Sequence, residues 1–492
     1  MIVLREYQHA AVAEIRAAIR AGKRRVLLVL PTGSGKTLTA ASVVQSSLAK
    51  QRRSIFVAHR LELIDQTVRA FARLGISTVG VIRAQDPRRD PLQPVQVASI
   101  QTLARRTQQD VDLVIIDEAH RSSSASYTRA LFERHPRAVI LGLTATPCRA
   151  DGRPLGAVSG ATGYDALIVG AKYSSLIDEG HILAPTVYST PVLPDLASVR
   201  TSKGDYNQED LEAAMNKGAL IGDLVTQWAK HARQRTVVFA VSVKHSLAIV
   251  EQFRASGVRA EHLDGTTPEV ERRAILARLE SGETELVSNC GVLTEGWDCP
   301  PVKTLVLARP TKSIGLYMQM AGRILRPFED LTPLILDHGS NVDRHGLPHE
   351  DREWSLDGRP KKPGAAPMKV CKACFAYVAA SAKECPHCGE AFVASSCEEP
   401  GAAAEPIPVD LALRTLEGDT ERLSFFRREV KKAREKGWKP GAVMFRYRER
   451  WGEDAPPSWW SALRSDASRD TEWAKERAAR RARLEGQELK AG

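Results

Sequence analysis

Leu30-Pro-Thr-Gly-Ser-Gly-Lys-Thr37 is the stretch on which the fold turns. It follows the apolar run 26–30 and opens a helix-forming stretch, so it reads as a glycine-rich turn between a buried strand and a helix. Gly33 and Gly35 let the backbone curl until successive N–H groups and the helix N-terminus face an anion. Thr32 and Ser34 complete that cradle. Lys36 can then reach the β- and γ-phosphates of a nucleotide, and the Thr37 hydroxyl can ligate Mg2+. The pattern is the short Pro-Thr-Gly-x-Gly-Lys-Thr form, without the first glycine of the longer phosphate-loop spacing. A glycine-rich turn without a ligand is the competing explanation.

Downstream, Asp117-Glu-Ala-His120 closes the apolar run 113–116. A carboxylate at a strand end is placed to hold Mg2+ through water, which is the role expected of Asp117. The adjacent Glu118 can polarise an attacking water. Two carboxylates at a strand end could also form an exposed turn, but beside a phosphate loop they fit nucleotide hydrolysis.

Around these motifs, the runs 26–30, 54–58, 95–99, 113–116 and 138–143 have the length and composition of buried parallel strands. A second set, 237–240, 259–263, 285–288, 304–308 and 334–336, repeats the pattern. The expected fold is therefore α/β, two tandem doubly wound parallel-sheet lobes. Lobe 1 spans residues 1–150 and lobe 2 spans 216–340. Residues 151–215 contain few clear strands and suggest crossing helices. Residues 341–368 read as a linker or extended strap rich in Pro, Gly and charge.

Cys371-x2-Cys374 and Cys385-x2-Cys388, ten residues apart, are two thiolate hooks that can complete a tetrahedron around Zn2+. Four cysteines close the shell, so this unit, 369–392, is expected to be structural. The spacer is short but can hold a small hairpin. Reduced cysteines without metal are the alternative. Cys148, Cys290, Cys299 and Cys397 receive no role.

The 492 residues suit about three domains. With 43% hydrophobic and 26% charged residues the chain is an ordinary globular one. No apolar run reaches the ~20 residues of a membrane helix, and the N-terminus lacks a secretory leader, so no membrane association and a cytoplasmic site are expected. The net charge is +11, and residues 421–492 hold 19 basic against 12 acidic residues. Five of the eight tryptophans, Trp438, Trp451, Trp459, Trp460 and Trp473, lie there. A basic, aromatic-rich unit at 411–492 suits a polyanion whose bases stack; a small Trp core with a solvated basic helix suits the same composition. Arg446, Arg448 and Arg450 alternate, so a strand would set them on one face, with Tyr447 and Trp451 on the other.

Further motifs follow in order: Leu4-Arg-Glu-Tyr-Gln8, Val57-Ala-His-Arg60, Ala98-Ser-Ile-Gln-Thr102, Leu141-Gly-Leu-Thr-Ala-Thr-Pro147, Val287-Ser-Asn-Cys-Gly-Val-Leu-Thr-Glu-Gly-Trp-Asp-Cys-Pro300 and Gln319-Met-Ala-Gly-Arg-Ile-Leu-Arg326. With the phosphate loop and the Asp-Glu-Ala-His element, this set over residues 1–340 resembles the superfamily 2 helicases of DEAD/DEAH type. The resemblance implies two RecA-like lobes and ATP with Mg2+. It implies adenine reading by Arg5 and Gln8, ribose contact by Gly296 and Asp298, and nucleic-acid contact by Arg60, Gln101 and Thr294. It also implies coupling by Thr144 and Thr146 and arginine fingers at Arg323 and Arg326. The two arginines are three apart and share a helix face, so both can meet charge developing on the γ-phosphate.

Arg309-Pro-Thr-Lys-Ser-Ile-Gly-Leu-Tyr-Met-Gln319 and the cysteine quartet extend the likeness to the bacterial RadD group, apart from the basic Trp-rich tail. That group implies DNA repair or recombination, with single-stranded or branched DNA and, as protein partners, single-strand-binding or recombination proteins. Gln-x-x-Gly-Arg-x-x-Arg differs from the His-Arg-x-Gly-Arg form of RNA-unwinding relatives, which favours DNA over RNA. The expected activity is an ATP-dependent DNA helicase or translocase. The alternatives are an RNA helicase and, from another class, an ATP-switched nucleic-acid-binding module that does not unwind.

Overall fold

A strand followed by a phosphate-gripping turn is useful only if neighbouring strands end at the same edge, and both lobes are built that way. The protein, analysed as a computed structural model, is described here at residues 3–106, 109–122, 127–149, 152–156, 163–202, 204–232, 234–357 and 367–392, and further on at 425–426, 428–429, 432 and 441–451. The first sheet contains β1 (Arg25–Val29), β2 (Ser54–Ala58), β3 (Gly80–Ile82), β4 (Val95–Ser99), β5 (Leu113–Ile116), β6 (Val139–Thr144) and β7 (Ala166–Val169). They lie in the order β3-β4-β2-β5-β6-β1-β7, all parallel.

Alternate residues of these strands feed two separate cores. Leu28, Phe56, Val97, Ile115 and Leu141 pack on one face, and Leu27, Ile55, Ala98, Val114 and Ile140 on the other. A sheet covered on both faces favours apolar residues at nearly every position, which is why its strands read as near-continuous runs.

The second sheet contains β8 (Thr186–Tyr188) and, after the small antiparallel hairpin of β9 (Thr201–Ser202) and β10 (Asp205–Tyr206), β11 (Thr236–Phe239), β12 (Ala260–Leu263), β13 (Leu286–Asn289), β14 (Thr304–Leu307) and β15 (Leu334–Asp337). Its order is β12-β13-β11-β14-β15-β8, again all parallel. The fold is thus two RecA-like α/β lobes. The expectation that 151–215 is poor in strands needs correction: β7, β8, β9 and β10 all lie there. β7 extends the first sheet and β8 the second. Both are edge strands, half-buried at most positions; β7 is a four-residue apolar run, too short to tell from a helix segment, and β8 is only three residues long.

The strap expected after lobe 2 turns back to lobe 1. Leu155 N and Gly156 N both donate to Leu356 O, at 2.8 and 3.0 Å. Asp351 accepts from the Ser174 backbone and hydroxyl.

The cysteine unit is seated on the edge of the second sheet. Strands β16 (Met368–Val370) and β17 (Tyr377–Ala379) form an antiparallel hairpin around the first cysteine pair, so only β17 lies in the spacer. Tyr188 bridges to Ala376, Ser189 N donates to Phe375 O at 2.8 Å, and Tyr377 donates to Asp343 at 2.9 Å. Tyr377 also joins the lobe 2 core.

Residues 394–492 form a separate unit. Within it, Gly441–Trp451 is an α-helix, which corrects the strand expected from the alternating arginines. Val443 and Tyr447, one helical turn apart, are buried, and Tyr447 meets the edge of Phe426 at 5.9 Å. Arg446 pairs with Glu429 at 3.2 Å. Trp438, Trp459, Trp460 and Trp473 lie outside the described residues. Among the described residues no helix is long and apolar enough to cross a membrane.

Candidate nucleotide and nucleic-acid site

The motifs of lobe 1 converge because each follows the carboxyl end of a parallel strand, where open α/β sheets place their ligands. The phosphate loop follows β1, His59 and Arg60 follow β2, Gln101 follows β4, Asp117 and Glu118 follow β5, and Thr144 and Thr146 end β6. Gly33 and Gly35 stand at φ 89° and 81°, in the left-handed region that a side chain would strain. Lys36 Nζ donates to Leu30 O and Pro31 O at 3.3 and 3.4 Å, and burial pushes its ammonium pKa down against the pull of Glu118 and Asp117.

Gln8 is buried against this loop. Its Nε2 donates to Ser34 O at 3.1 Å and Gly35 O at 3.4 Å, and its Oε1 accepts from Arg5 N at 2.9 Å. The amide expected to read adenine therefore braces the phosphate loop in this form. Tyr7 adds a bond from its hydroxyl to Ser34 O at 2.7 Å.

Asp117 and Glu118 are both buried. Burial and the neighbouring Glu118 push the Asp117 carboxyl up to about 7. Glu118 has φ 49°, which turns its side chain out of the strand line. Its Oε2 lies 3.4 Å from His120 Nδ1 without a hydrogen bond. His120 Nδ1 meets the Thr144 hydroxyl at 3.2 Å, and that hydroxyl donates to Thr146 O at 3.0 Å. Thr146 Oγ1 is buried and unpartnered. Two orphaned polar atoms beside a glycine cradle, with a lysine on the loop, fit a triphosphate and its bound cation.

Lobe 2 closes over this edge. A Cβ added to Gly33 would lie 3.1 Å from Arg326 Cγ, and one on Gly322 would lie 2.5 Å from Thr32 Cβ. Arg326 thus lies along the phosphate loop and pairs with Asp298. Arg323 is half-buried, donates to Trp297 O at 2.6 Å, and feels the charges of Glu118, Glu295 and Asp117.

Sequence reasoning missed the centre of the closed cleft. Glu295 of lobe 2, with 1% of its side chain exposed, meets three basic side chains of lobe 1: His59 at 2.5 Å, Arg60 at 3.3 Å and Arg121 at 2.9 Å. Those partners hold its carboxyl well below the usual range despite burial. Arg60 also donates to Val292 O at 2.8 Å, and Gln66 to Gly296 O at 2.7 Å. Of the three residues expected on nucleic acid, Arg60 is committed across the cleft, Gln101 donates to His59 O at 3.0 Å, and Thr294 is buried.

Cys371 and Cys388 lie 3.7 Å apart, Cys374 and Cys385 3.6 Å, and all four sulfurs fall within 4.8 Å. Four sulfurs at ~2.3 Å around a tetrahedral ion would be about 3.8 Å apart, whereas a disulfide is ~2.05 Å long. The quartet has the dimensions of a metal cage.

Residues 1–149 match the family model of the Type III restriction enzyme res subunit, and residues 216–327 match the helicase conserved C-terminal domain. A 51.5 kDa protein of a Lactococcus phage (isolate 7-9) is 30% identical over 370 residues, 74% of this chain and 77% of its own. The chain belongs to the superfamily 2 helicases. It is an ATP-hydrolysing enzyme of that class. IRC3 of Saccharomyces cerevisiae, named as an ATP-dependent helicase, is 30% identical over 351 residues; the match covers 66% of this helicase but only 49% of the yeast protein. Among solved structures, the fragment of an HsdR subunit of a type I restriction enzyme from Vibrio vulnificus YJ016 superposes with a TM-score of 0.55 at 24% identity, covering 73% of this helicase and 68% of that chain. That likeness shows the fold. The bacterial RadD group is not singled out by these relatives.

Proposed function

We propose that this helicase is an ATP-driven motor on DNA whose two lobes close on the nucleotide and open after hydrolysis. The observation that carries the proposal is the convergence across the cleft, where the Arg326 side chain lies against Gly33 and Arg323 feels the charges of Glu118 and Asp117. In this reading Lys36 and the loop N–H groups hold the β- and γ-phosphates, and Thr37 and Asp117 hold Mg2+. Mg2+, when bound, neutralises charge on the phosphate oxygens. Glu118 takes a proton from the attacking water, and Arg323 and Arg326 meet the charge that develops on the γ-phosphate. Thr144 and Thr146, linked to His120, relay the nucleotide state to Arg60, Gln101 and Thr294 beside the strand path. Gln8, which donates to the loop in this form, reads the adenine together with Arg5, and Gly296 and Asp298 approach the ribose.

DNA is the preferred track. A restriction enzyme bound to DNA, LlaBIII, shares the fold at a TM-score of 0.51 and 18% identity, and the Gln-x-x-Gly-Arg form favours DNA over RNA. Recombinational repair as the setting rests on the family resemblance alone. Zn2+ in the Cys371, Cys374, Cys385, Cys388 cage is structural in this proposal. The basic unit at 411–492 is an auxiliary grip, so deleting it should weaken DNA binding and lower the log–log salt slope by about 0.9 per lost phosphate contact. ATPase rates on single-stranded DNA, duplex, fork and RNA test the assignment. Stimulation by DNA above RNA is expected, and stimulation by RNA alone would replace the motor's track.

A further inference from the structure

Lys303 has no exposed surface, although it stands at the head of β14. Burial alone pushes its ammonium down to about 8. A buried charge without a counter-ion is costly, so its partners are informative. They are carbonyls: Nζ donates to Ile324 O at 3.4 Å and to Arg326 O. Between those two, Leu325 O accepts from Leu183 N at 2.7 Å. Three consecutive carbonyls just past the helix Ile314–Ala321 are therefore held from outside their own segment. Backbone carbonyls outside regular structure need donors from elsewhere when buried, and a lysine ammonium can supply them.

This turn carries Arg326, whose side chain lies against Gly33 of lobe 1, and follows directly on Arg323, which donates to Gln319 O and Trp297 O. A long guanidinium side chain amplifies any rotation of the backbone that bears it, and misplacement by about 1 Å can cost a catalytic group up to ~100-fold. We propose that Lys303 is a positioning residue for ATP hydrolysis: its ammonium fixes the carbonyls of Ile324 and Arg326 so that Arg326 is aimed along the phosphate loop. This rests on the reading of Arg326 as a cross-cleft arginine.

Steady-state ATPase of the full chain with saturating single-stranded DNA tests it on wild type, Lys303→Met, Arg326→Ala and the double variant. Methionine keeps the length and removes the charge and the donors. Lys303→Met should lower kcat on the order of tenfold while KM for ATP moves by less than about threefold. The double variant should match Arg326→Ala within about twofold, because a residue acting only through Arg326 has nothing left to position. Lys303→Gln, which keeps an amide donor, should recover part of the lost kcat. If Lys303→Met turns over at the wild-type rate, or slows the Arg326→Ala enzyme by the same factor as wild type, the proposal fails while the Arg326 reading stands. An Arg326→Ala enzyme at full speed removes both. If neither Lys303 variant folds, as judged by circular dichroism, Lys303 serves stability and the proposal is overturned.

Discussion

Replacing Glu295 by Gln should unlatch the two lobes. The carboxylate is 1% exposed, and its two oxygens meet His59, Arg60 and Arg121. Glutamine keeps the shape and one acceptor, loses the charge, and turns an N–H₂ group toward donors. Removing one member of a buried ion pair costs about 3–5 kcal/mol. The low end applies here, because the guanidiniums left behind reach water: Arg121 is 47% exposed and Arg60 24%. A loss of about 3 kcal/mol at about 1.4 kcal/mol per decade shifts the closed-to-open ratio on the order of 100-fold. Lobe-to-lobe fluorescence transfer, with one dye on each lobe, should move toward long distances in the variant without nucleotide. ATPase kcat/KM should fall in parallel, since Arg323 and Arg326 arrive only with closure. Unchanged transfer and unchanged turnover would refute the idea that this carboxylate holds the cleft shut.

Lys36→Ala should abolish hydrolysis and leave the fold intact, whereas Glu118→Gln should still bind ATP with Mg2+ but turn over at least ~100-fold more slowly; equilibrium nucleotide binding beside ATPase separates the two, and loss of nucleotide affinity in Glu118→Gln would contradict its role as base. Metal analysis should find about one zinc per chain. Because the cysteine unit is seated on β8 and Tyr377 enters the lobe 2 core, chelation should lower the unfolding temperature of lobe 2 as well as loosen 369–392; an unchanged melting curve after complete removal would argue against a structural metal. His245 is buried, faces Glu212, and has its pKa pushed down to about 4. The unfolded chain then binds the proton first, so stability present above pH ~6.5 is lost as pH falls toward 4, by up to about 3 kcal/mol from this group. His245→Asn should flatten the pH dependence of the stability measured by urea denaturation between those pH values, and an unchanged dependence would exclude His245 as a contributor.

The sheets were legible because a strand covered on both faces is nearly apolar throughout: 54–58 was expected, and Ser54–Ala58 is observed. β7 and β8 were not: the apolar run Ala166–Val169 is only four residues long and could equally lie in a helix, and β8 has three residues, of which only Val187 is buried. The segment 441–451 contained two periods at once. Arginine at every second position suggested a strand, while Val443 and Tyr447 four apart marked the buried stripe of a helix, and burial decided between them. The catalytic motifs stood out because phosphate chemistry demands fixed spacings of glycine, lysine and carboxylate. Glu295 and Lys303 had no such spacing, for their partners lie far away in sequence and only folding joins them. A lysine heading the apolar run Thr304–Leu307 was nonetheless a visible oddity, and a charge placed there needs a partner.

Movement along DNA is the central claim, and ATP turnover against single-strand length measures it. A motor that binds internally and runs to an end spends more of its time stepping as the strand lengthens. Turnover at saturating ATP and saturating DNA ends should therefore rise over several multiples of a binding footprint of roughly 10 nucleotides before levelling off. A rate that is already maximal on an oligonucleotide just long enough to fill the site, and stays flat beyond it, would contradict translocation and leave an ATP-driven switch of grip.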